Sequence, residues 1–388
     1  MTTTYTETEP AFVPVQTRSE RPHSFDPADF TRPTGREVNW RHTPLDALAP
    51  LFDVDAPAGD LDVTVTDAAA ATLRVGDAPR GEVFRPEDLP SAIAWVRAEQ
   101  AGHVVLEGER DEPVFIEVTG RGGVAHAHLV IEARPNSHST VVLRHRGSTT
   151  FAQNVEIVVG DGAHLELVTV QEWTGGSVHA ASHQARVDKD ATLRHVVVSF
   201  GGAVVRVNPS IELSGTGARA EMYGLSYSDS GQHLESQVYL HHKGAETTGD
   251  VLYKGALQGS GARSVWIGDV LIGPEAVGTD SYEANRNLVL TDGARAESIP
   301  NLEIETGDIR GAGHASATGR FDDEQLFYLQ ARGIPEPEAR RLVVLGFLSE
   351  IVQRIGVPAL EGELTELIER ELAQGISASA PVMKGESA

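Results

Sequence analysis

One histidine of this chain stands in a setting that favours chemistry. His314 lies in the segment RGAGHASATG at residues 310–319, where nearly every neighbour has a small side chain. Its imidazole would therefore stand clear of its surroundings. A neutral imidazole in such a position could bind a metal ion or transfer a proton near neutral pH. The alternative for a histidine taken alone is a structural, hydrogen-bonded role.

The sequence contains 15 histidines, and several occur as close pairs. These pairs are His126 with His128, His179 with His183, and His241 with His242. None has the carboxylate or cysteine spacing that is typical of a strong metal site. Residues two apart on a strand share a face, so His126 and His128 could point the same way. We interpret all three pairs as surface or turn histidines.

Cysteine is absent from the sequence. The chain therefore has no disulfide, no thiolate nucleophile and no sulfur ligand for zinc or an iron–sulfur cluster. Any sulfur chemistry that it joins must use the thiols of another chain. The P-loop, the dinucleotide-binding GxGxxG pattern, the GxSxG nucleophile elbow and HExxH are also absent. These absences weigh against a nucleotidase, a dehydrogenase, an α/β-hydrolase and a zincin.

The chain is strongly acidic, with 32 Lys and Arg against 56 Asp and Glu and a formal net charge of −24. This charge would repel a phosphate backbone and an anionic membrane surface, so neither nucleic acid nor a membrane is an expected partner. No apolar run approaches the roughly 18 residues that a membrane span requires, and the first residues show no secretion signal. We therefore expect a cytoplasmic protein.

The elements that position these residues are predicted to be short strands separated by tight turns. A turn signature recurs as DGAHL at 161–165, DATL at 190–193, TGARA at 216–220, SGARS at 260–264 and DGARA at 292–296. Glycine or aspartate supplies the turn, and the alanine then enters a crowded interior. Successive signature alanines are 28, 27, 44 and 32 residues apart, and we ascribe the longer gaps to insertions or a missed coil. The period predicts a stacked β-helix, with a β-sandwich as the competing fold.

The predicted architecture is mainly β, with a β-helix (β-solenoid) core between two smaller regions. We predict a disordered leader at 1–35, a small mixed α/β domain at 36–100, the β-helix core at 101–310, a C-terminal helical domain at 311–375 and a flexible tail at 376–388. Proline and glycine positions predict C-terminal helices at about 323–331, 337–355 and 361–373.

The middle helix of this group contains the apolar run LVVLGFL at 342–348, which covers its whole circumference. A surface helix would show polar residues on one side, so we expect this helix to be covered on several sides. The cover could be its own domain or another chain. Gly346 costs about 1 kcal/mol relative to alanine in a helix interior, which suggests a close backbone approach at that position.

Several stretches near the C-terminus together resemble a known family. They are NLEI at 301–304, GHASATGR at 313–320, DDEQLFYL at 322–329, ARGI at 331–334 and AR at 339–340. This combination is similar to the C-terminal signature of the SufB/SufD family of iron–sulfur cluster assembly proteins. The β-rich centre is compatible with that family, whereas residues 1–100 match it only loosely.

The resemblance implies a right-handed parallel β-helix and a non-catalytic scaffold similar to the SufD branch, since the SufB branch carries the cysteine at which a cluster forms. It implies a SufB-like paralogue and a SufC-like ATPase as partners, so that ATP is used only through the partner ATPase. A transient iron–sulfur cluster would form at the interface with the partner chain. When that partner is missing, exposed solenoid edges could pair as a homodimer. Flavin binding and the sulfur donor stay open.

Within this resemblance, His314 matches the histidine that faces the SufB cysteine, which implies a transient metal ligand or a proton carrier. Some family members have a cysteine two residues earlier, where this chain has Ala312. The C-terminal helical domain would dock the ATPase. From position alone we assign to that surface Arg332, Gly333, Phe347 and Glu350.

Two functions of other classes also stay open for a β-helix. One is a carbohydrate-active enzyme, which would act through carboxylates or basic residues on a strand ladder. The other is a purely structural solenoid without chemistry. The structural alternative leaves the C-terminal helices without an explanation.

Overall fold

The computed structural model describes residue 18 and residues 21–66, 74–75, 79–98, 101–321 and 323–379. Its strands are β1 Leu61–Thr66, β2 Arg74–Val75, β3 Gly102–Leu106, β4 Val114–Ala133, β5 His138–Val159, β6 His164–Trp173, β7 Val178–Val187, β8 Thr192–Gly201, β9 Val204–Leu213, β10 Arg219–Ser228, β11 His233–His242, β12 Thr248–Leu257, β13 Arg263–Ile272, β14 Thr279–Val289, β15 Arg295–Ile304 and β16 Ile309–Arg320. Its α-helices are α1 Leu89–Arg97, α2 Asp323–Ala331, α3 Glu336–Val352 and α4 Pro358–Ser379.

The strands from β4 onward form a β-solenoid of about 8 turns, as the sequence predicts. Even-numbered strands pair in parallel from β6 to β16, and odd-numbered strands pair in parallel from β7 to β15. We call these two walls the even sheet and the odd sheet. The long strand β5 joins them, because its first half pairs with β6 and its second half with β7.

The interior between the two sheets is filled mostly by small and branched side chains. Paired positions in a parallel ladder point to the same face, so each inward position forms a column along the solenoid. The column through Leu167, Met222 and Val251 belongs to this interior core. The three signature alanines that precede even strands are buried in it, namely Ala163, Ala191 and Ala218.

The irregular spacing of the turn signature has a simple cause. The first three signature alanines precede even strands, whereas Ala262 and Ala294 precede the odd strands β13 and β15. The gap of 44 residues therefore joins two different series of turns, and the gap of 32 is one coil of the second series. The coil of 32 residues is longer than the earlier coils of 27 and 28, which agrees with the predicted insertions, whereas the gap of 44 arises because the signature changes from one sheet to the other.

The outer face of the even sheet is covered by the C-terminal helices. Val344 and Leu348 of α3 and Leu364 of α4 are fully buried against outward residues such as Val196 and Leu252. The apolar run of α3 is therefore covered by its own chain on one side. Its other side is exposed at Leu342 and Gly346.

Gly346 is not approached closely by any other described part of its own chain. A Cβ built at Gly346 would meet no heavy atom within 4 Å among the described residues. This position lies on the exposed side of α3 rather than against the sheet, so a close approach within the described chain is excluded, and an approach by another chain stays a prediction.

The outer face of the odd sheet is covered by residues N-terminal to the solenoid. Trp40, Leu48 and Leu51 pack with Ala180 and Val204 in one cluster. The predicted mixed α/β region thus contributes α1 and β1, and β1 pairs antiparallel with β4. Its core is shared with the solenoid.

Two predicted domain boundaries differ from the elements that the structure describes. A short 3-10 helix, Pro27–Asp29, lies within the predicted leader, and the buried Arg18 donates a hydrogen bond of 3.0 Å to the carbonyl of Gln237. The rest of the leader and the predicted tail lie largely outside the described residues. At the other boundary, β16 continues the even sheet to Arg320, ten residues beyond position 310.

The solenoid ends with the strands β15 and β16. Each pairs on one side only, with β13 and β14 respectively, and no described strand pairs with the other side. Residues 314–320 of β16 are all exposed. The end of the solenoid therefore presents two free strand edges, one from each sheet.

Candidate functional site at the open end of the solenoid

His314 lies on the last strand of the even sheet, β16. Its ladder partner on β14 is Glu283, which in turn pairs with Val251 of β12. His314 is thus the last member of the inward column that runs through Met222 and Leu167. Because no described strand follows β16, the side chain is 46% exposed.

Glu283 lies directly below His314 in the same column. Its side chain is completely buried, and Oε1 is 3.9 Å from Nδ1 of His314. That separation is too long for a hydrogen bond. Neither carboxylate oxygen of Glu283 has a hydrogen-bond partner in the described structure. Burial, and to a smaller degree the Asp269 carboxylate, raise the pKa of Glu283 to about 8.

Gly268 of the odd sheet leaves room for the carboxyl group of Glu283. A Cβ built at Gly268 of β13 would lie 2.5 Å from Oε2 of Glu283 and 2.3 Å from the ring of Trp266. Any side chain at 268 would therefore displace one of them. The indole nitrogen of Trp266 is itself buried without a partner.

An open cavity of about 400 Å³ lies beside His314. It is lined by polar side chains of the odd sheet and by one residue of the N-terminal region. Besides His314, these polar residues are Arg18, Tyr239, Asp269, Asn301 and Glu303. The cavity brings basic, acidic and imidazole groups together at the end of the solenoid.

No group of three or more His, Cys, Asp or Glu side chains is arranged to hold a metal ion in the part of the chain that the structure describes. A metal ion bound at His314 would therefore need ligands from outside these residues.

The predicted ATPase-docking residues fall into two groups. Arg332 and Gly333 follow α2 and are exposed, with the Arg332 guanidinium 4.4 Å from the centre of the Tyr328 ring. Phe347 and Glu350 of α3 instead face the solenoid. The ammonium of Lys254 lies 2.6 Å from the Glu350 carboxylate and also donates a hydrogen bond of 2.8 Å to the Phe347 carbonyl.

The histidine pairs lie on strands, and several of them are buried. His128, His179, His183 and His242 are at most 2% exposed. The interpretation of the pairs as surface or turn residues was wrong. Both faces of each sheet are covered, by the interior on one side and by helices or the N-terminal region on the other, so polar residues on strands are hidden too.

The sequence reasoning missed Glu283. It precedes His314 by 31 residues, which is one coil, but that relation is visible only once the strand register is known. A glutamate on an alternating strand otherwise indicates a solvent-facing position. The exposed aromatic residues of α2, Phe327 at 72% and Tyr328 at 56%, were also not assigned to a surface.

The family model for the SUF system FeS cluster assembly SufBD core domain matches residues 115–347, which is more than half of the chain. The chain is also 50% identical over 363 residues to an iron–sulfur cluster assembly SufBD family protein of Mycobacterium tuberculosis, covering 90% of this chain and 91% of that protein. The chain belongs to the SufBD family.

The chain is also similar to SufBD proteins of lower identity. A SufBD family protein of Mycobacterium leprae is 47% identical and covers 90% of this chain and 93% of its own length. The iron–sulfur cluster assembly protein SufD of Escherichia coli is 26% identical, covering 88% of this chain and 90% of that protein. The family match spans the whole solenoid from β4 onward, so it includes both Glu283 and His314. Among the described residues of this SufBD chain, every helix is too short or too polar to cross a membrane.

Proposed function

We propose that this SufBD chain is a non-catalytic scaffold subunit, similar to SufD, of a complex that assembles iron–sulfur clusters. The observation that carries the proposal is the exposed His314 at the free end of the solenoid. The chain has no cysteine, so the sulfur of a cluster must be held by a second, SufB-like chain. In this role His314 supplies a nitrogen ligand, or carries a proton, for a cluster that forms between the two chains.

The SufB-like partner is proposed to bind at the strands β15 and β16. A free strand edge offers unpaired N–H and C=O groups to a strand of another chain. Both sheets end in such an edge, and the exposed strand β16 carries His314. Pairing there would place the imidazole at the interface. A homodimer through the same edges is the expected state when the partner is missing.

The SufC-like ATPase is proposed to dock on the exposed side of the C-terminal helices. Phe327 and Tyr328 of α2 and Leu342 of α3 are large exposed apolar residues. Clustered exposed aromatic residues are typical of protein interaction sites. Arg332 and Gly333 belong to this surface, whereas Phe347 and Glu350 are used to hold α3 on the even sheet. ATP would be hydrolysed only by the docked partner.

Family membership supports this scaffold over the two other functions that the β-helix alone left open. A carbohydrate-active enzyme would need paired carboxylates in an accessible cleft. The family model that matches the solenoid is instead that of an iron–sulfur cluster assembly domain. A purely structural solenoid would leave the exposed aromatic residues of α2 without a role.

The test is a pull-down of the tagged full-length chain from its own cells, with mass spectrometry and an ATPase assay of the retained proteins. We expect recovery of a SufC-like ATPase together with a cysteine-containing SufB-like chain. Recovery of the chain alone, or of only a second copy of itself, without ATPase activity, would contradict the proposal.

A further inference from the structure

The carboxyl of Glu283 is the most unusual polar group of the described solenoid interior. Both of its oxygens are buried and neither accepts a hydrogen bond. A buried carboxyl without partners lowers the stability of a fold, and buried polar groups are normally hydrogen-bonded. Its packing beside Gly268 shows that the space for it is built by the opposite sheet. Such an arrangement needs an explanation other than packing.

We propose that Glu283 is a second ligand from this chain for the metal ion that His314 binds, so that the two residues form a nitrogen and oxygen pair for ferrous iron or a similar first-row divalent ion. This inference rests on the proposed function, because it assigns a ligand at the same site.

The geometry supports a shared ion. Ligand nitrogen and oxygen atoms lie about 2.0–2.2 Å from a bound zinc ion, and similar lengths hold for other small divalent ions. Two atoms 3.9 Å apart can therefore both contact one ion placed between them. A direct hydrogen bond would have drawn them to about 3 Å. Imidazole nitrogen suits iron, cobalt and zinc, whereas magnesium and calcium prefer sites made of oxygen atoms alone.

The positions of His314 and Glu283 in the solenoid also allow an ion to enter and to bind further ligands. His314 is the last residue of the column and is exposed, so an ion can reach it from the open end. Glu283 lies one strand deeper and is closed off on its other side by Val251. Since no third ligand is arranged nearby among the described residues, the other positions on the ion stay open for sulfur or for groups of another chain.

The test uses Co²⁺ as a probe, titrated into the purified full-length chain under anaerobic conditions and followed by its visible absorption. We expect His314→Ala and Glu283→Gln each to weaken Co²⁺ binding at least tenfold, and Glu283→Gln to change the absorption spectrum. The double variant, which keeps neither ligand, should bind most weakly, but its loss of binding free energy should be smaller than the sum of the two single losses, because both residues hold one ion. Glu305→Gln, the same change at an exposed position of the same end, should bind as the wild type does.

Thermal unfolding separates ligation from a structural role. Without metal, Glu283→Gln should unfold at about the same temperature as the wild type, since an unpaired buried amide of the same shape replaces an unpaired buried carboxyl. Added Co²⁺ should raise the midpoint of the wild type and leave that of the variant unchanged. Wild-type Co²⁺ affinity and spectrum in Glu283→Gln would overturn the inference, as would Co²⁺ binding that does not depend on His314. Co-purification of the partners tests the proposed function separately and does not depend on Glu283.

Discussion

Lys254 of β12 and Glu350 of α3 form a 2.6 Å ion pair where the even sheet meets the C-terminal helices. The lysine is almost completely buried, whereas the glutamate is 40% exposed. The two partners are therefore not equivalent. Removing the glutamate leaves a buried ammonium with one backbone carbonyl, while removing the lysine leaves a carboxylate that water and Arg354 can still reach.

This asymmetry makes a prediction for the attachment of α3. Glu350→Gln should lower the free energy of unfolding by about 2 kcal/mol, less than for a fully buried pair because solvent reaches Glu350. Lys254→Met, which removes the buried charge and keeps most of the volume, should cost less than Glu350→Gln. Urea unfolding of the two variants measures the order. A larger loss for Lys254→Met would contradict this account of the junction.

Arg206 of β9 joins the N-terminal region to the odd sheet. Its guanidinium, 2% exposed, pairs with Glu235 at 3.0 Å and Asp88 at 3.2 Å, donates to the Asn39 carbonyl at 3.1 Å and stacks on Trp40. Burial by itself raises the pKa of Glu235, but the hydrogen bond with His233 and the positive charge of Arg206 lower this pKa to about 2.

We therefore expect Arg206→Lys to lower the free energy of unfolding by about 3 kcal/mol, because lysine cannot reproduce the planar fork of donors. Limited proteolysis should cut the N-terminal region faster than in the wild type. Arg186→Lys, at a more exposed ion pair of β7, is the control and should change stability by less than about 0.5 kcal/mol. Equal effects of the two substitutions would show that the buried network does not hold the region.

A group of buried histidines predicts acid sensitivity. His145, His179, His183 and His195 lie in the solenoid interior, and burial lowers the pKa of His145 and His195 to about 4 and that of His179 and His183 well below 6.5. In the unfolded chain the same groups bind protons near pH 6.5. The unfolded state therefore binds more protons between pH 6.5 and 4, and stability should fall as the pH drops through that window.

To test this prediction, one of the four histidines is replaced with an apolar residue similar to its neighbours in the strand ladder. His195→Leu sits between Leu167 and Met222 in the ladder and should reduce the slope of stability against pH by up to about 1.4 kcal/mol per pH unit. His138→Gln, at an exposed position, is the control for the loss of a histidine. Denaturant midpoints measured from pH 7 to 4.5 give the slopes, and a flat wild-type profile would refute the prediction.

The exposed side of the C-terminal helices is predicted to bind the ATPase. Phe327→Ser together with Tyr328→Ser should abolish co-purification of the ATPase while the thermal midpoint stays within a degree or two, because neither side chain is buried. The same variant should still recover the SufB-like chain. Val343→Ser, on a half-buried flank of α3, is a control for a general effect of lost apolar surface. Retention of the ATPase by the double variant would place the docking surface elsewhere.

Substitution of Gly346 tests the same exposed side of α3 by adding a side chain instead of removing one. Alanine at this position should stabilise the helix by about 1 kcal/mol, since a Cβ would meet no described atom. If the ATPase approaches the backbone there, the same substitution should weaken its binding. A loss of stability of the isolated chain would contradict the structure at this position.

Much of the fold could be predicted from the sequence. The 27- and 28-residue spacing of turns before β6, β8 and β10 equals the register of their ladders, because each coil of a solenoid repeats the same path. What the spacing did not reveal is that the signature occurs in both sheets. Glycine and alanine make tight turns in either series, so residue types alone do not distinguish the two.

The site was only partly predictable. The small neighbours drew attention to His314 and the family resemblance assigned it a role, but Glu283 becomes its neighbour only through the pairing of β14 with β16. Such a contact between residues 31 positions apart is not encoded in any local pattern. The interpretation of the histidine pairs as surface residues was wrong for a related reason. Alternation along a strand does not show that both faces of the sheet are covered.

The central claim is that His314 acts on a cluster at the junction with a partner chain. The most direct measurement is reconstitution of iron–sulfur clusters on the purified complex that contains His314→Ala, followed by absorption and acid-labile sulfide. We predict that the variant complex assembles and unfolds as the wild type does, because the side chain is exposed, while cluster formation falls at least tenfold. Wild-type yields of cluster on a complex that contains His314→Ala would contradict the account.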